Sequence, residues 1–316
     1  WDRDDVDRRI VANVIEGRRS FRPIPKQRLD ISRYLADVTG EADSITPIRA
    51  GLLTNWQVDR EKFRIPKSTF DATDLTHWLA LELADEAIEA IGGVDRLDRS
   101  RTAVIVANTL TGEFSRTSLL RLRAPFLDQL LADAAVRADL PANLSAKLRR
   151  AFGAELRYRL PDPNEDSLAG GLANTIAGRI ANYFDLHGGA YSVDAACASS
   201  LVALADAASL LASGQIDAAV VAAVDLSLDP FELVGFSRNG ALAADEMRVF
   251  DARANGVWPG EGGACTVLMR AQDAARHGFA VQANICGWGL SSDGAGGLTR
   301  PSIQGQLTAC CRAYQM

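Results

Sequence analysis

Two runs of small and β-branched residues constrain the fold most: Thr102-Ala103-Val104-Ile105-Val106-Ala107 and Ala218-Ala219-Val220-Val221-Ala222-Ala223-Val224. Neither alternates polar with apolar residues, so both faces of each must be covered, as in the central strands of a parallel sheet. The intervening sequence has helical spacing. Asp74 can cap a helix that carries Leu75, Trp78, Leu79, Ala80 and Leu83 on one side, runs to about Ile91 and stops at Gly92-Gly93. Residues 172–184 and 197–213 repeat the pattern, with further strands expected at 190–193 and 264–269. Alternating strands and helices make the chain α/β.

Other stretches are less regular. The proline-punctuated segment Phe21 to Arg28 reads as a surface loop, and a long loop is expected between the strand ending at Val224 and the one beginning at Ala264. Residues 110–166 are rich in Leu, Ala and Arg and form helices, with a break expected at Pro125. They read as an insertion carried on the core. A further strand is expected at 281–285, and a helix from Ser302.

Composition removes several classes of function. Of 316 residues 47% are hydrophobic and 23% charged, which suits a globular protein with a sizeable core. Lys and Arg number 34 against 40 Asp and Glu, a net charge of −6, which argues against nucleic acid or an anionic membrane surface as the main partner. No apolar stretch approaches the roughly 20 residues that span a bilayer. The N-terminal residues resemble neither a signal nor a transit peptide, so a cytoplasmic protein is expected. The five cysteines, at 197, 265, 286, 310 and 311, show no CxxC or Cys/His spacing, and no metal site is expected.

The stretch with most chemical content is Val193-Asp194-Ala195-Ala196-Cys197-Ala198-Ser199-Ser200-Leu201. It places a cysteine between a strand and a helix. A sulfur at a helix N-terminus feels the positive end of the peptide dipoles, which favours the nucleophilic thiolate. Unpaired N–H groups of that first turn can hold a developing oxyanion. The small neighbours Ala195, Ala196, Ala198 and Ser199 are expected to leave room for a substrate.

This nonapeptide resembles the active-site motif of β-ketoacyl synthases of the thiolase superfamily, Asp-x-Ala-Cys-x-Ser-Ser-Leu. Flanking stretches agree with it: Ala173 to Ile180 and Asp185-Leu186-His187-Gly188 before the cysteine, and Phe250-Asp251 through Gly260-Glu261-Gly262-Gly263 after it. The resemblance implies a thiolase-like layered αβαβα fold. Residues 1–270 would be the N-terminal half, with the helical insertion at about 110–166, and residues 271–316 the start of the C-terminal half. Cys197 would be the acylated nucleophile, with its backbone N–H in the oxyanion hole. Partners would be an acyl carrier protein with its phosphopantetheine arm, acyl and malonyl thioesters, and a second copy in a homodimer. No cofactor bound by the domain itself is implied.

Within the family, Lys62-Phe63-Arg64-Ile65-Pro66-Lys67, the 74–81 stretch and the insertion look like ketosynthases of iterative enediyne polyketide synthases, which build carrier-bound polyenes for antibiotic biosynthesis. Polyunsaturated fatty-acid synthases are the alternative, and a non-catalytic scaffold or dimerisation half is the alternative from another class. The family's two histidines occur in His-Gly-Thr-Gly-Thr and Gly-His-x-x-x-Ala-Ala-Gly settings, and neither setting lies within these residues. His77 reads as a half-buried packing or surface residue, and His187 and His277 as loop residues. Glu261, between glycines, reads as structural rather than as a base. Phe236 and the pair Asn108-Thr109, which follows a core strand, are the candidate lining of the acyl pocket.

Overall fold

The computed structural model describes residues 3–39, 42–160, 162–296 and 300–315. β1 (Arg22–Pro23) and β2 (Arg49–Ala50) pair as a short antiparallel ribbon. β3 (Thr102–Ala107), β4 (Ala190–Val193), β5 (Ala218–Asp225) and β6 (Gly262–Met269) form one sheet in the order β4-β3-β5-β6. The chain divides into two compact units, Trp1–Gln57 with Ser227–Gly262, and Val58–Leu226 with Gly263–Met316.

The larger unit is built on β3. It runs parallel to both neighbours, with Ile105 beside Tyr191 of β4 and Val221 of β5, and all six of its residues are buried. Because side chains alternate along a strand, Ala103, Ile105 and Ala107 share one face with Ala219 and Val221 of β5. They pack on Ala203, Ala207 and Leu211 of the Ser199–Ala212 helix, which recur every four residues. Alanines at that contact let helix and sheet approach closely. The Leu75–Ala90 and Asn174–Phe184 helices pack against each other and against β3, β4 and β5. Asp74 caps the first of them by accepting from the Thr76 N–H at 2.9 Å, as its sequence predicts.

At the N-terminal ends of β3 and β5, Asp217 lies between two arginines. Arg101 Nε donates to it at 2.5 Å and Arg270 Nη2 from the other side, while Arg270 Nη1 also reaches the Ile216 carbonyl at 2.7 Å. These hydrogen bonds pull the Asp217 carboxyl down to about 2. The expected helical region resolves into Glu113–Leu122, Ala124–Arg137 and Ala142–Arg159, with Pro125 in the first turn of the second helix. Arg149 Nε donates to Asp128 at 2.8 Å and ties the last two together.

The smaller unit has its own core of Ile24, Ile45, Ile48, Ala50, Leu228, Leu233 and Leu242. Trp258 leans on it and donates from Nε1 to the Ala243 carbonyl at 2.7 Å. Gly256 is required at its place. It has φ +140°, and a Cβ there would lie 2.5 Å from the Ala243 nitrogen.

Four expectations are corrected. The long loop after β5 contains a helix, Pro230–Arg238, whose first turn is capped by Asp229 accepting from the Glu232 N–H at 3.1 Å. Residues 281–285 form no strand: no neighbouring strand pairs with them among the described residues, and residues 281–286 are all exposed. The segment from Phe21 to Arg28 is not wholly irregular, since β1 lies in it and Ile24 enters the smaller core. His77 is fully buried rather than half-buried. Among the described residues, no helix is long and apolar enough to cross a membrane.

Candidate active site

β4 delivers the chain to the turn that carries Cys197. After Val193 come Asp194 and Ala195, a single 3-10 turn over Ala196–Ala198, and then the Ser199–Ala212 helix. Cys197 therefore stands in the 3-10 lead-in rather than at the first residue of the α-helix, with the positive end of that helix two residues on. It is exposed. Ala196, immediately before it, has φ +49°, a left-handed conformation that costs a residue with a Cβ about 1–2 kcal/mol. This reversal turns the chain sharply and lifts the cysteine out of the turn.

The turn is held by its neighbours. Asp194 Oδ1 accepts from the Ala196 N–H at 3.0 Å and from Thr109 Oγ1 at 2.8 Å. Ser199 Oγ accepts from the Ala195 N–H at 2.8 Å and donates to the Ala196 carbonyl at 2.7 Å. Ala198 N–H reaches the Ala195 carbonyl at 3.1 Å. Among the described residues, no backbone hydrogen bond engages the Cys197 N–H. Leu201, in the first turn of the helix, is 68% exposed and adds apolar surface.

The three pocket candidates have different surroundings. Asn108 is buried and both ends of its amide are used, Nδ2 donating to the Val224 carbonyl and Oδ1 accepting from the Thr111 N–H, each at 2.9 Å. It braces the C-terminal ends of β3 and β5. Thr109 is brought to the Cys197 turn through Asp194. Phe236 lies on the Pro230–Arg238 helix of the smaller unit, 37% exposed. Ser199 departs from its sequence reading as a small residue that leaves space: it is 6% exposed and its hydroxyl is committed to the turn. Asp194 and Ser199 were missed as functional candidates. The available signal was their spacing, an Asp two residues before Ala196 and a Ser three after it, which suits hydrogen bonding of side chain to backbone.

The remaining titratable groups have other surroundings. Glu261 is 4% exposed at its side chain and accepts from Arg28 Nη2 at 2.5 Å, an ion pair that fits a structural role. The buried His77 ring accepts from Arg179 Nε at Nδ1, at 3.5 Å, and its Nε2 has no hydrogen-bond partner. Burial first, then the Arg179 charge, pulls its pKa to about 3, with the Leu172 backbone opposing. His187 pairs with Asp185 at 3.0 Å on the surface. Burial pushes the Cys265 thiol up to about 12, whereas Cys286, Cys310 and Cys311 are exposed like Cys197. Exposure alone does not single out Cys197; its turn does. Among the described residues no group of three His, Cys, Asp or Glu could hold a metal ion.

A parallel-stranded core whose strand β4 leads through a left-handed residue and an exposed cysteine into a helix has the arrangement expected of a thiolase-like fold, and solved ketosynthases share that fold. The chain belongs to the family "Beta-ketoacyl synthase, N-terminal domain", whose model matches residues 3–274. It is 30% identical over 295 residues to a polyunsaturated fatty acid synthase of Thraustochytrium sp., covering 92% of this chain and 10% of that protein. It is also 30% identical over 302 residues to a phenolphthiocerol/phthiocerol polyketide synthase of Mycobacterium tuberculosis, covering 94% of this chain and 12% of that one. Among solved structures it resembles the ketosynthase from module 6 of the bacillaene synthase from Bacillus subtilis 168, with TM-score 0.72 and 26% identity over 98% of this chain and 45% of that one. The chain thus spans about a tenth of the length of these curated relatives and under half of the solved ketosynthase.

Proposed function

We propose that this chain is the nucleophile-bearing part of a condensing ketosynthase, in which Cys197 carries the growing acyl chain. The Cys197 thiolate attacks the carbonyl carbon of an acyl thioester on the phosphopantetheine arm of an acyl carrier protein. The carbonyl oxygen takes the negative charge beside the Cys197 N–H, and the pantetheine thiolate leaves when that electron pair returns. A malonyl group on the carrier then loses CO₂, and the resulting enolate carbon attacks the Cys197 thioester. A C–C bond forms, the Cys197 thiolate is released, and a β-ketoacyl carrier protein departs. Decarboxylation calls for hydrogen-bond donors to the enolate. His77, His187 and His277 lie outside both family settings and are not assigned that role.

The observation that carries this reading is the exposed Cys197 in a left-handed turn with its own N–H unengaged. The halves at 1–270 and 271–316, with an insertion at about 110–166, belong to the same proposal, as does a homodimer. The dimer is supported by β4, which ends the sheet order and has one free edge among the described residues. Iterative synthesis of an enediyne polyene is supported by the 62–67 and 74–81 stretches and the three helices within 113–159. A polyunsaturated fatty-acid chain is supported by the 30% identity to the Thraustochytrium synthase.

The test is condensation by the full-length protein, given acyl and malonyl carrier thioesters. Release of CO₂ with a β-ketoacyl carrier product, abolished in Cys197→Ala, is expected, and the length and unsaturation of the accumulated chain separate the two pathways. Undiminished product from Cys197→Ala would overturn the assignment.

A further inference from the structure

The nucleophile turn contains more than its cysteine. Resting on the ketosynthase reading above, we infer that Ser199 and Asp194 are positioning residues that aim the Cys197 N–H at the oxyanion during acylation. The Ala196 carbonyl and the Cys197 N–H belong to one peptide unit, which is planar and trans, so they point in opposite directions. The Ala196 carbonyl is held inside the turn by two donors, the Ser199 hydroxyl at 2.7 Å and the Ser199 N–H. Fixing that oxygen inward sends the Cys197 N–H outward, beside its own sulfur, where no protein acceptor meets it among the described residues.

The two preceding peptide units are fixed as well. The Ala195 N–H donates to Ser199 Oγ at 2.8 Å, and the Ala196 N–H to Asp194 Oδ1 at 3.0 Å. Thr109 Oγ1 donates to the same carboxylate oxygen at 2.8 Å and anchors it to the end of β3. Three consecutive peptides, spanning Asp194 to Cys197, are therefore oriented by two side chains. This is what a left-handed Ala196 needs. Without Ser199 Oγ and Asp194 Oδ1 the residue can relax to φ < 0 and rotate the Cys197 N–H away from the reacting carbonyl. Thr109, a pocket candidate from sequence, acts here as a tether.

Two reactions of the same sulfur separate positioning from general integrity. Alkylation by iodoacetamide occurs at a tetrahedral carbon and develops no oxyanion, whereas acylation by a pantetheine thioester does. In the full-length protein, Ser199→Ala and Asp194→Ala should slow acylation of Cys197 about 10²-fold, the order of effect expected when an oxyanion donor is misplaced. Alkylation should change little. Asp194→Asn, which keeps an acceptor oxygen, should recover most of the acylation rate, and the exposed position of Asp194 keeps this pair informative should Ser199→Ala not fold. Acylation at the unaltered rate in Asp194→Ala would overturn the inference, and so would a parallel fall in both reactions. Failure of the underlying reading looks different: the unaltered protein would then form no acyl adduct at Cys197 at all.

Discussion

His77 gives a pH-dependent stability whose size follows from its surroundings. The ring is fully buried on the Leu75–Ala90 helix, its Nε2 has no partner, and the Arg179 guanidinium both donates to Nδ1 and lies over the Trp78 ring at 4.5 Å. A proton added to it would place two positive charges together out of water, so the folded pKa falls to about 3 from 6.5. The unfolded chain binds a proton that the folded chain does not. Stability from this group is therefore complete above pH 6.5 and is lost as pH falls from there towards 3. Between pH 7.5 and 5.5 the unfolded state gains about 1.4 kcal/mol from protonation that the native state cannot match. Urea unfolding of the protein and of His77→Gln at both pH values reads this directly. The unaltered protein should lose about 1.4 kcal/mol more than the variant on acidification. Equal losses would mean that His77 is hydrated or charged in the native state, and the argument from burial would fail.

Two further substitutions, the second with a control, test the two units. Asp217→Asn removes the carboxylate shared by Arg101 and Arg270 and should cost about 1 kcal/mol at pH 7, a modest figure because the group is 35% exposed. Its folded pKa near 2 lies below the ordinary 3.8, so that contribution is present above about pH 4 and should vanish as pH falls through 2, which urea titrations at pH 7 and pH 3 would follow. Gly256→Ala adds a Cβ 2.5 Å from the Ala243 nitrogen at φ +140° and should destabilise by roughly 1–3 kcal/mol. Gly260→Ala, at a residue with no positive φ where the added Cβ would lie 3.5 Å from the Gly51 carbonyl oxygen, should cost clearly less in the same thermal unfolding assay; equal losses would refute the backbone argument.

What could be read from the sequence was whatever local chemistry decides. β3 and β5 were legible because runs such as Val104-Ile105-Val106 must be covered on both faces, and the Leu75–Ala90 helix because Asp74 and Gly92 mark its two ends. The break at Pro125 followed from proline's missing N–H. The helix Pro230–Arg238 was also marked locally, by Asp229 at the cap, Pro230 in the first turn and Glu232 after it, and those signals outweigh the reading of the whole stretch as a long loop. Residues 281–285 have a strand-like composition but no hydrogen-bonded neighbour among the described residues, and composition cannot supply one. His77 was underestimated for a similar reason: a histidine beside Trp78 on an amphipathic helix faces the core only because the Asn174–Phe184 helix, which brings Arg179, packs there. At the candidate site, Cys197 is singled out by its motif. The roles of Ser199 and Asn108 were not, because each is defined by hydrogen bonds to backbone atoms that the folded turn and sheet bring within reach.

On the ketosynthase reading Cys197, and not another of the exposed cysteines, becomes the acyl thioester. The measurement is peptide-resolved mass spectrometry of the full-length protein after brief exposure to an acyl pantetheine thioester. One acyl adduct is expected, on the peptide containing Cys197, released by hydroxylamine and missing from Cys197→Ala. Acylation spread over Cys286, Cys310 and Cys311, or persisting in the Cys197→Ala protein, would contradict it.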